Sequence, residues 1–454
     1  MLCMANLDKT PLPNPQFYIL LCVRFIEPIA FSLLFPFIYF MVNDFNITDD
    51  TSMVSYYAGL ISSCYAVGEF IGAVPWGMLS DRIGRKPVIT MGLLGTSISL
   101  FMFGLSTSLP WALATRFMGG ILNGNVGVIK SMVGEMTDRS NRADAFSYVS
   151  MMFGLGGIVG PILGGFLTHP AENFPWLFGN NQFLKAYPYF LPCGLTSSFC
   201  LIGAFFAHFF LQETLQRPPP NGASVITPLL EAGPVENRHK HNGIARGTWL
   251  VIFSYMGVCL FSVIDQELFS FWASTTVNGG GLGFESKDIG MVGSVNGIFL
   301  IAIQMFVYGR VQKRLGTLNL MLSAYLLFIP LYSSMPMVRT ILVGGYPLLF
   351  LALLFLLNIA KTFCSVAILT GTNILLPESC PDKSGLGRIN GITNSLASLM
   401  RGLGPYICGL VYSWSLSNSL TFPFDWHFTF FLTSVMSLAT FFITKKITPA
   451  MVSY

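Results

Sequence analysis

The chain has little charge and little histidine. Of its 454 residues only 10% are Asp, Glu, Lys or Arg, and five are His. A soluble domain carries about 25% charged residues, so a solvated globular fold is excluded for most of the chain. The formal net charge is only +4 and no block of like charge occurs, so nothing points to a nucleic-acid partner. Nine cysteines are scattered without a C-x-x-C pair and lie mostly inside apolar runs, which fits neither a zinc site nor a disulfide framework. The pattern G-x-x-x-x-G-K-[ST] is absent, which argues against a primary pump, and no cofactor or metal is called for. With so few histidines and no catalytic constellation, an enzyme is not expected.

Apolar residues are what the chain has in abundance: 53% of residues are hydrophobic and the mean hydropathy is +0.62. They fall into runs near residues 17–42, 53–76, 88–108, 110–134, 144–168 and 187–212, and then 248–275, 288–310, 317–335, 346–376, 386–415 and 427–444. A helix of about 20 apolar residues crosses a hydrocarbon core of about 30 Å. The expected architecture is therefore an all-α membrane protein with twelve transmembrane helices in two halves, residues 1–212 and 248–454. Residues 213–247, with Pro218-Pro219-Pro220 and few apolar side chains, form a linker. Residues 1–15 lack the layout of a cleavable signal, so the first span is the targeting segment.

One decapeptide organises the rest: Gly77-Met-Leu-Ser-Asp81-Arg82-Ile-Gly84-Arg85-Lys86. Lying between the second and third runs, it is expected to be a tight loop whose two glycines permit close helix approach and a sharp reversal. Its cations mark a cytoplasmic loop. If the amino terminus is cytoplasmic, seventeen Lys and Arg lie in inner segments and three, Lys185, Lys287 and Arg339, in outer ones. Both termini are then cytoplasmic, and the acceptor sequence Asn46-Ile-Thr48 lies outside, where Asn46 is a glycosylation candidate. The stretch Gly309-Arg310-Val-Gln-Lys313-Arg314-Leu-Gly316 echoes the decapeptide 232 positions later, and Gly160-Pro161 is echoed by Gly404-Pro405 after 244. These echoes indicate two related halves.

The pattern G-x-x-x-D-R-x-G-R-K resembles the signature between helices two and three of the major facilitator superfamily. Two further stretches fit: Arg116-Phe-Met-Gly-Gly120-Ile-Leu-Asn123-Gly124 in helix four, and Gly154-Leu-Gly-Gly157-Ile-Val-Gly160-Pro161-Ile-Leu-Gly164-Gly165 in helix five. The latter resembles the glycine-proline signature of the superfamily's antiporters. Within the superfamily the chain is similar to the zinc-induced facilitator-like group and fungal drug:proton antiporters. The residues behind this are Leu34-Phe-Pro-Phe-Ile-Tyr39-Phe-Met, Pro170-Ala-Glu172-Asn-Phe-Pro175, Tyr187-Pro-Tyr-Phe-Leu-Pro192 and Gln212-Glu213-Thr214. The resemblance implies alternating access about a site between the halves, with a small organic solute and protons as partners. It also implies a monomer in the lipid of a eukaryotic plasma or vacuolar membrane, and Gly77, Asp81, Arg82, Gly84, Arg85, Gly160 and Pro161 as conformational gating residues. With only His239 and His241 in the linker, direct zinc transport is not expected.

Ionisable residues inside spans are costly and mark the pathway. Arg24 and Glu27 share a face of helix one and are placed to pair. Arg116, Asn123 and Lys130 recur every seven residues as one stripe on helix four, with Lys130 near the inner end and expected to snorkel. Glu69 lies on a helix expected to pack beside the cavity. Asn358 and Lys361 share a polar face of helix ten, and Arg401 lies on helix eleven with Asn390 and Asn394. The substrate-cavity candidates are Arg116, Asn123, Asn358, Lys361 and Arg401. The proton-coupling candidates are Asp265, Glu27 and Arg24. Asp265 is preferred, because no basic residue lies within a turn on its own helix and burial raises a carboxyl pKa; Glu267, about 200° around that helix, is expected to turn from the cavity. The resulting reading is a proton-coupled secondary transporter, an antiporter and exporter. The rivals are a nutrient facilitator or symporter, and a non-transporting sensor, for which the ten or so residues after helix twelve form a short tail.

Overall fold

The computed structural model describes residues 12, 15–137, 141–215, 246–379, 386–418 and 420–448. Its helices group into twelve crossings. The N-terminal half holds α1 (Gln16–Ser32, α1a, and Ile38–Asp44, α1b), α2 (Met53–Ile83), α3 (Arg85–Gly104), α4 (Leu109–Leu122, α4a, and Asn125–Met136, α4b), α5 (Arg142–Leu167) and α6 (Phe190–Phe210). The C-terminal half holds α7 (Arg246–Ser274), α8 (Ser286–Leu315), α9 (Thr317–Ser334), α10 (Pro347–Glu378), α11 (Leu386–Ser417) and α12 (Phe428–Lys445). The expected linker falls mostly on residues 216–245, and Lys9, Arg139 and Lys383 fall on other stretches; all lie outside the described residues, as do the side chains of Arg142, Arg388 and Asn390.

Eight crossings are long and apolar enough to span a membrane on composition alone: α2, α3, α6, α7, α8, α9, α10 and α12. Of the other four, α1 and α4 are interrupted and α11 is polar, while α5 is apolar over Met151–Leu167. In α1 the helix lapses over residues 33–37. Pro36 there has no amide hydrogen and disfavours helical backbone at Phe35. The Phe35 carbonyl is left to accept a hydrogen bond from the Ser270 hydroxyl of α7. In α4 the helix stops at Asn123, whose backbone leaves the helical region at φ −86° and ψ 83°, and restarts at Asn125.

The organising decapeptide departs from expectation. It is helical through Ile83, and the whole reversal falls on Gly84 at φ +113°, a region open to glycine. Its repeat counterpart Gly316 turns the chain between α8 and α9 at φ +79°. Gly77 makes no close approach, because a Cβ there would meet nothing within 4 Å. Its side of the helix faces open space. The close approaches of α2 are made elsewhere, by Gly68 and Gly72 against α4 and by Gly59 against the Pro405 carbonyl of α11.

The halves meet along two helix pairs, α2 with α11 and α5 with α8. Small residues let the backbones touch, as Gly409 does at the Ser55 carbonyl and Gly165 at Gly290. These contacts lie towards the face opposite the termini. There a single apolar core runs through both halves, taking in Phe37, Met41 and Ile61 together with Phe271, Trp272 and Tyr412. Towards the terminal face the N-terminal half keeps a separate core of its own, around Phe17, Ile89, Val128, Met132 and Ala207. The molecule is thus closed on the far face, and towards the terminal face the apolar core of the N-terminal half stands apart from that of the other half. A crevice of about 350 Å³ remains on the closed side, between Tyr39 and Asn43 of α1b and Ser274 and Thr275 of α7.

Candidate functional site

The polar groups of the spans gather into three places. In the N-terminal half Arg24 and Glu27 form the ion pair that their spacing suggests, both buried. The helix break at Asn123 turns its side chain inward, where Nδ2 donates to Glu27 Oε1 at 3.2 Å and to the Tyr65 hydroxyl at 2.6 Å. In the C-terminal half Lys361 Nζ donates to Asp265 Oδ1 at 2.7 Å, and its ammonium lies 5.7 Å from the ring centroids of Phe269 and Tyr332. Asn358, fully buried one turn away, donates to the Leu354 carbonyl at 2.8 Å and accepts from Asn296 at 3.4 Å.

The two sites are copies. Glu27 and Asp265 are 238 positions apart, and so are Asn123 and Lys361. In each half an acid on the first helix meets a polar or cationic side chain on the fourth. The basis for preferring Asp265 needs correction. Its own helix supplies no cation, but α10 does, and an ion pair already satisfies the carboxylate. Burial alone therefore no longer argues for a neutral acid there.

The third place joins the halves. Glu69 of α2 lies 3.9 Å from Arg401 of α11, whose Nη2 also donates to Ser398 at 2.8 Å. Glu69 therefore faces the opposite half rather than packing beside the cavity. Lys130 does not snorkel either: its Nζ donates to Asn394 Oδ1 of α11 at 2.6 Å, because the break at Asn123 redirects α4b. That break also splits the expected stripe. Arg116 stays behind in α4a, buried, with its guanidinium 4.4 Å from the Tyr65 ring centroid and 5.6 Å from that of Phe103. Glu267 reverses its expected direction and faces Ser62 and Arg116 of the N-terminal half.

The gating candidates bond within their own half. Asp81 Oδ1 accepts from Arg85 Nη1 at 2.5 Å, and Arg85 Nη2 donates to Glu135 of α4b at 2.9 Å. Arg82 is exposed beside them. A residue not singled out for this role completes the arrangement. Glu213, just past α6, accepts from the backbone amides of Arg85 at 2.8 Å and Lys86 at 3.0 Å. It thereby caps the N-terminus of α3, where amides lack helical partners. Partial burial pushes its carboxyl up, but the amides of Leu215, Arg85, Lys86 and Thr214 outweigh this and hold it below the usual range. An acid close after helix six was the available signal. Gly160 packs against Ser32 and the Ile29 carbonyl of α1, while Pro161 lies against Gly290 and Gly293 of α8. Asn46 is exposed in the far loop at φ 48°, its Nδ2 donating to the Asp44 carbonyl at 3.0 Å. Nearby, the His169 imidazole is raised above its ordinary pKa by its hydrogen bond to Asp44 at 3.3 Å.

Comparison with known proteins matches this arrangement. The profile of the Major Facilitator Superfamily covers residues 20–405. The chain is 31% identical to the major facilitator superfamily multidrug transporter mfsB of Aspergillus fumigatus, over 92% of this chain and 82% of that one. It is also 31% identical to ZINC INDUCED FACILITATOR 1 of Arabidopsis thaliana, over 91% and 87% respectively. Among solved structures, a bacterial homolog of the human lysosomal transporter Spinster superposes with TM-score 0.71 at 16% identity, covering 97% of this chain and 99% of that one. The chain belongs to the major facilitator superfamily, a multi-pass membrane transporter and not an enzyme.

Proposed function

We propose that the chain is a proton-coupled antiporter that exports a small organic solute by alternating access, with both termini cytoplasmic. The reading is carried by the duplicated acid: Glu27 with Arg24 and Asn123 in one half, Asp265 with Lys361 in the other. A carboxylate held by a cation can exchange that partner for a proton, which frees the cation to engage a solute or a neighbouring helix. The Glu69–Arg401 and Lys130–Asn394 contacts cross between the halves and must rearrange when the terminal face closes. Support for export comes from the multidrug transporter named among the relatives and from the glycine-proline run of α5 at the contact between the halves.

Asp265 is the group that loads and releases the proton in this reading, and Glu27 with Arg24 sets the charge of the site. The test is the purified protein in liposomes with an imposed pH gradient and a panel of drug-like cations, organic anions and neutral solutes. Wild type accumulates at least one solute against its gradient. Asp265→Asn loses that accumulation but still exchanges solute between equilibrated compartments. Accumulation retained in Asp265→Asn and lost in Glu27→Gln moves the coupling to α1, and accumulation retained in both refutes it. Uptake with the proton gradient, rather than against it, identifies a symporter.

A further inference from the structure

Glu267 of α7 is fully buried, and neither carboxyl oxygen has a partner in hydrogen-bonding geometry. Its polar neighbours lie in the other half: the Ser62 hydroxyl of α2 and the Arg116 guanidinium of α4. Nε of Arg116 is itself buried without a partner.

The repeat shows that packing does not require these groups. At the offset of 238 that relates Glu27 to Asp265, the counterpart of Glu267 is Ile29 and that of Arg116 is Leu354. Both counterparts are buried and apolar. Each half thus fills one of the two positions with hydrocarbon and the other with a charged group, and the acid of one half faces the base of the other.

The surroundings of Glu267 hold few ionisable groups. From α4 comes Arg116 and from α11 comes Cys408. The α10 cation, Lys361, is bonded to Asp265, two residues away. Residues 289–302 of α8 and 428–444 of α12 contain no Asp, Glu, Lys, Arg or His. Tyr39 of α1b meets Thr275, nearer the far face. Neither donor beside it is in bonding geometry with the carboxyl, and a buried carboxylate left unbonded is costly, so taking up a proton relieves it.

We propose that Glu267 is a second proton-binding site, whose protonation permits the far face to close. When that face opens, α7 parts from α2, the carboxyl meets water and it ionises or loads according to the pH on that side. Closure returns it to the buried interface between Ser62 and Arg116, where neither carboxyl oxygen is bonded and the neutral acid is the form that permits closure. The inference rests on the alternating-access reading but not on the role of Asp265.

The experiment measures the far-face opening directly, without substrate. Spin labels on cysteines at Asn43 and Thr276, in a background lacking accessible native cysteines, report the separation of α1b and α7 by double electron–electron resonance from pH 5.5 to 8.5. In wild type the closed population falls as pH rises, by up to about tenfold in ratio per pH unit for one linked proton. Glu267→Gln stays closed across the range, and so does Glu267→Leu, which restores the hydrocarbon found at the repeat counterpart. A pH-independent wild type, or a Glu267→Gln variant that still opens with rising pH, overturns the proposal. A response abolished by Asp265→Asn and kept by Glu267→Gln overturns it too, while leaving the proposed coupling group standing. Failure of Asp265 in the liposome assay leaves these distances unaffected.

Discussion

The Asp265–Lys361 pair offers a test whose size follows from its geometry. Nζ and Oδ1 are 2.7 Å apart, and the side chains are only 13% and 9% exposed. Removing one partner of such a pair strands the other charge, at about 3–5 kcal/mol. Removing both deletes the desolvation cost along with the attraction, so Asp265→Asn with Lys361→Met lies much nearer wild type. The double variant still loses the contacts of the ammonium with Phe269 and Tyr332, each at 5.7 Å and worth about 0.5–2 kcal/mol when desolvated. For a unit of 150–250 residues, 1 kcal/mol moves the melting temperature by roughly 2–4 °C. Each single variant should therefore melt roughly 6–20 °C below wild type, and the double variant should melt above both single variants. Scanning fluorimetry of detergent-purified protein at one fixed scan rate compares all four, since unfolding of such proteins is governed by rates. If the double variant melts at the sum of the two single losses, the pair carries no coupling energy, and its exchange with a proton loses its basis.

Asp81→Asn should leave melting within about 1 kcal/mol of wild type, because the Asp81 side chain is 67% exposed and Arg85 keeps Glu135. It should instead shift cysteine accessibility between the two faces; normal transport with unchanged accessibility on both sides removes Asp81 from gating. A cysteine placed at Asn46 should react with an impermeant reagent in intact cells, and protection there with access from the cytosol overturns the assigned orientation.

How far the sequence reaches depends on where a residue's partner lies. Arg24 and Glu27 pair within one turn of one helix, and their spacing alone predicts it. Asp265 and Lys361 sit 96 positions apart on different helices, and helical periodicity says nothing about such a contact. The repeat carries that information, since the offset shared by the Glu27–Asn123 and Asp265–Lys361 pairs is readable without coordinates. Glu69–Arg401 and Lys130–Asn394 have no such echo, being single contacts across the two halves. The direction of Glu267 is not legible in the same way, because the angle between two side chains on α7 shows that they diverge, not which of them faces the partner half.

The three crossings that are interrupted or polar carry much of the site. Helices α1, α4 and α11 fall short as continuous apolar spans, and they hold Arg24, Glu27, Arg116, Asn123, Lys130 and Arg401. The reason is physical. A span that faces lipid must satisfy every backbone group within its own helix and show hydrocarbon outward. A span that faces another helix or a water-filled path is released from both demands, so α1 can break near Phe35 and turn a freed carbonyl to the other half, and α4 can break at Asn123 and turn that side chain to Glu27 and Tyr65 of its own half. The Phe35 carbonyl bonds to Ser270 of the other half, and that bond lies on the closed far face. The same interruptions that depress the apolar signal therefore supply the contacts that alternating access must make and break.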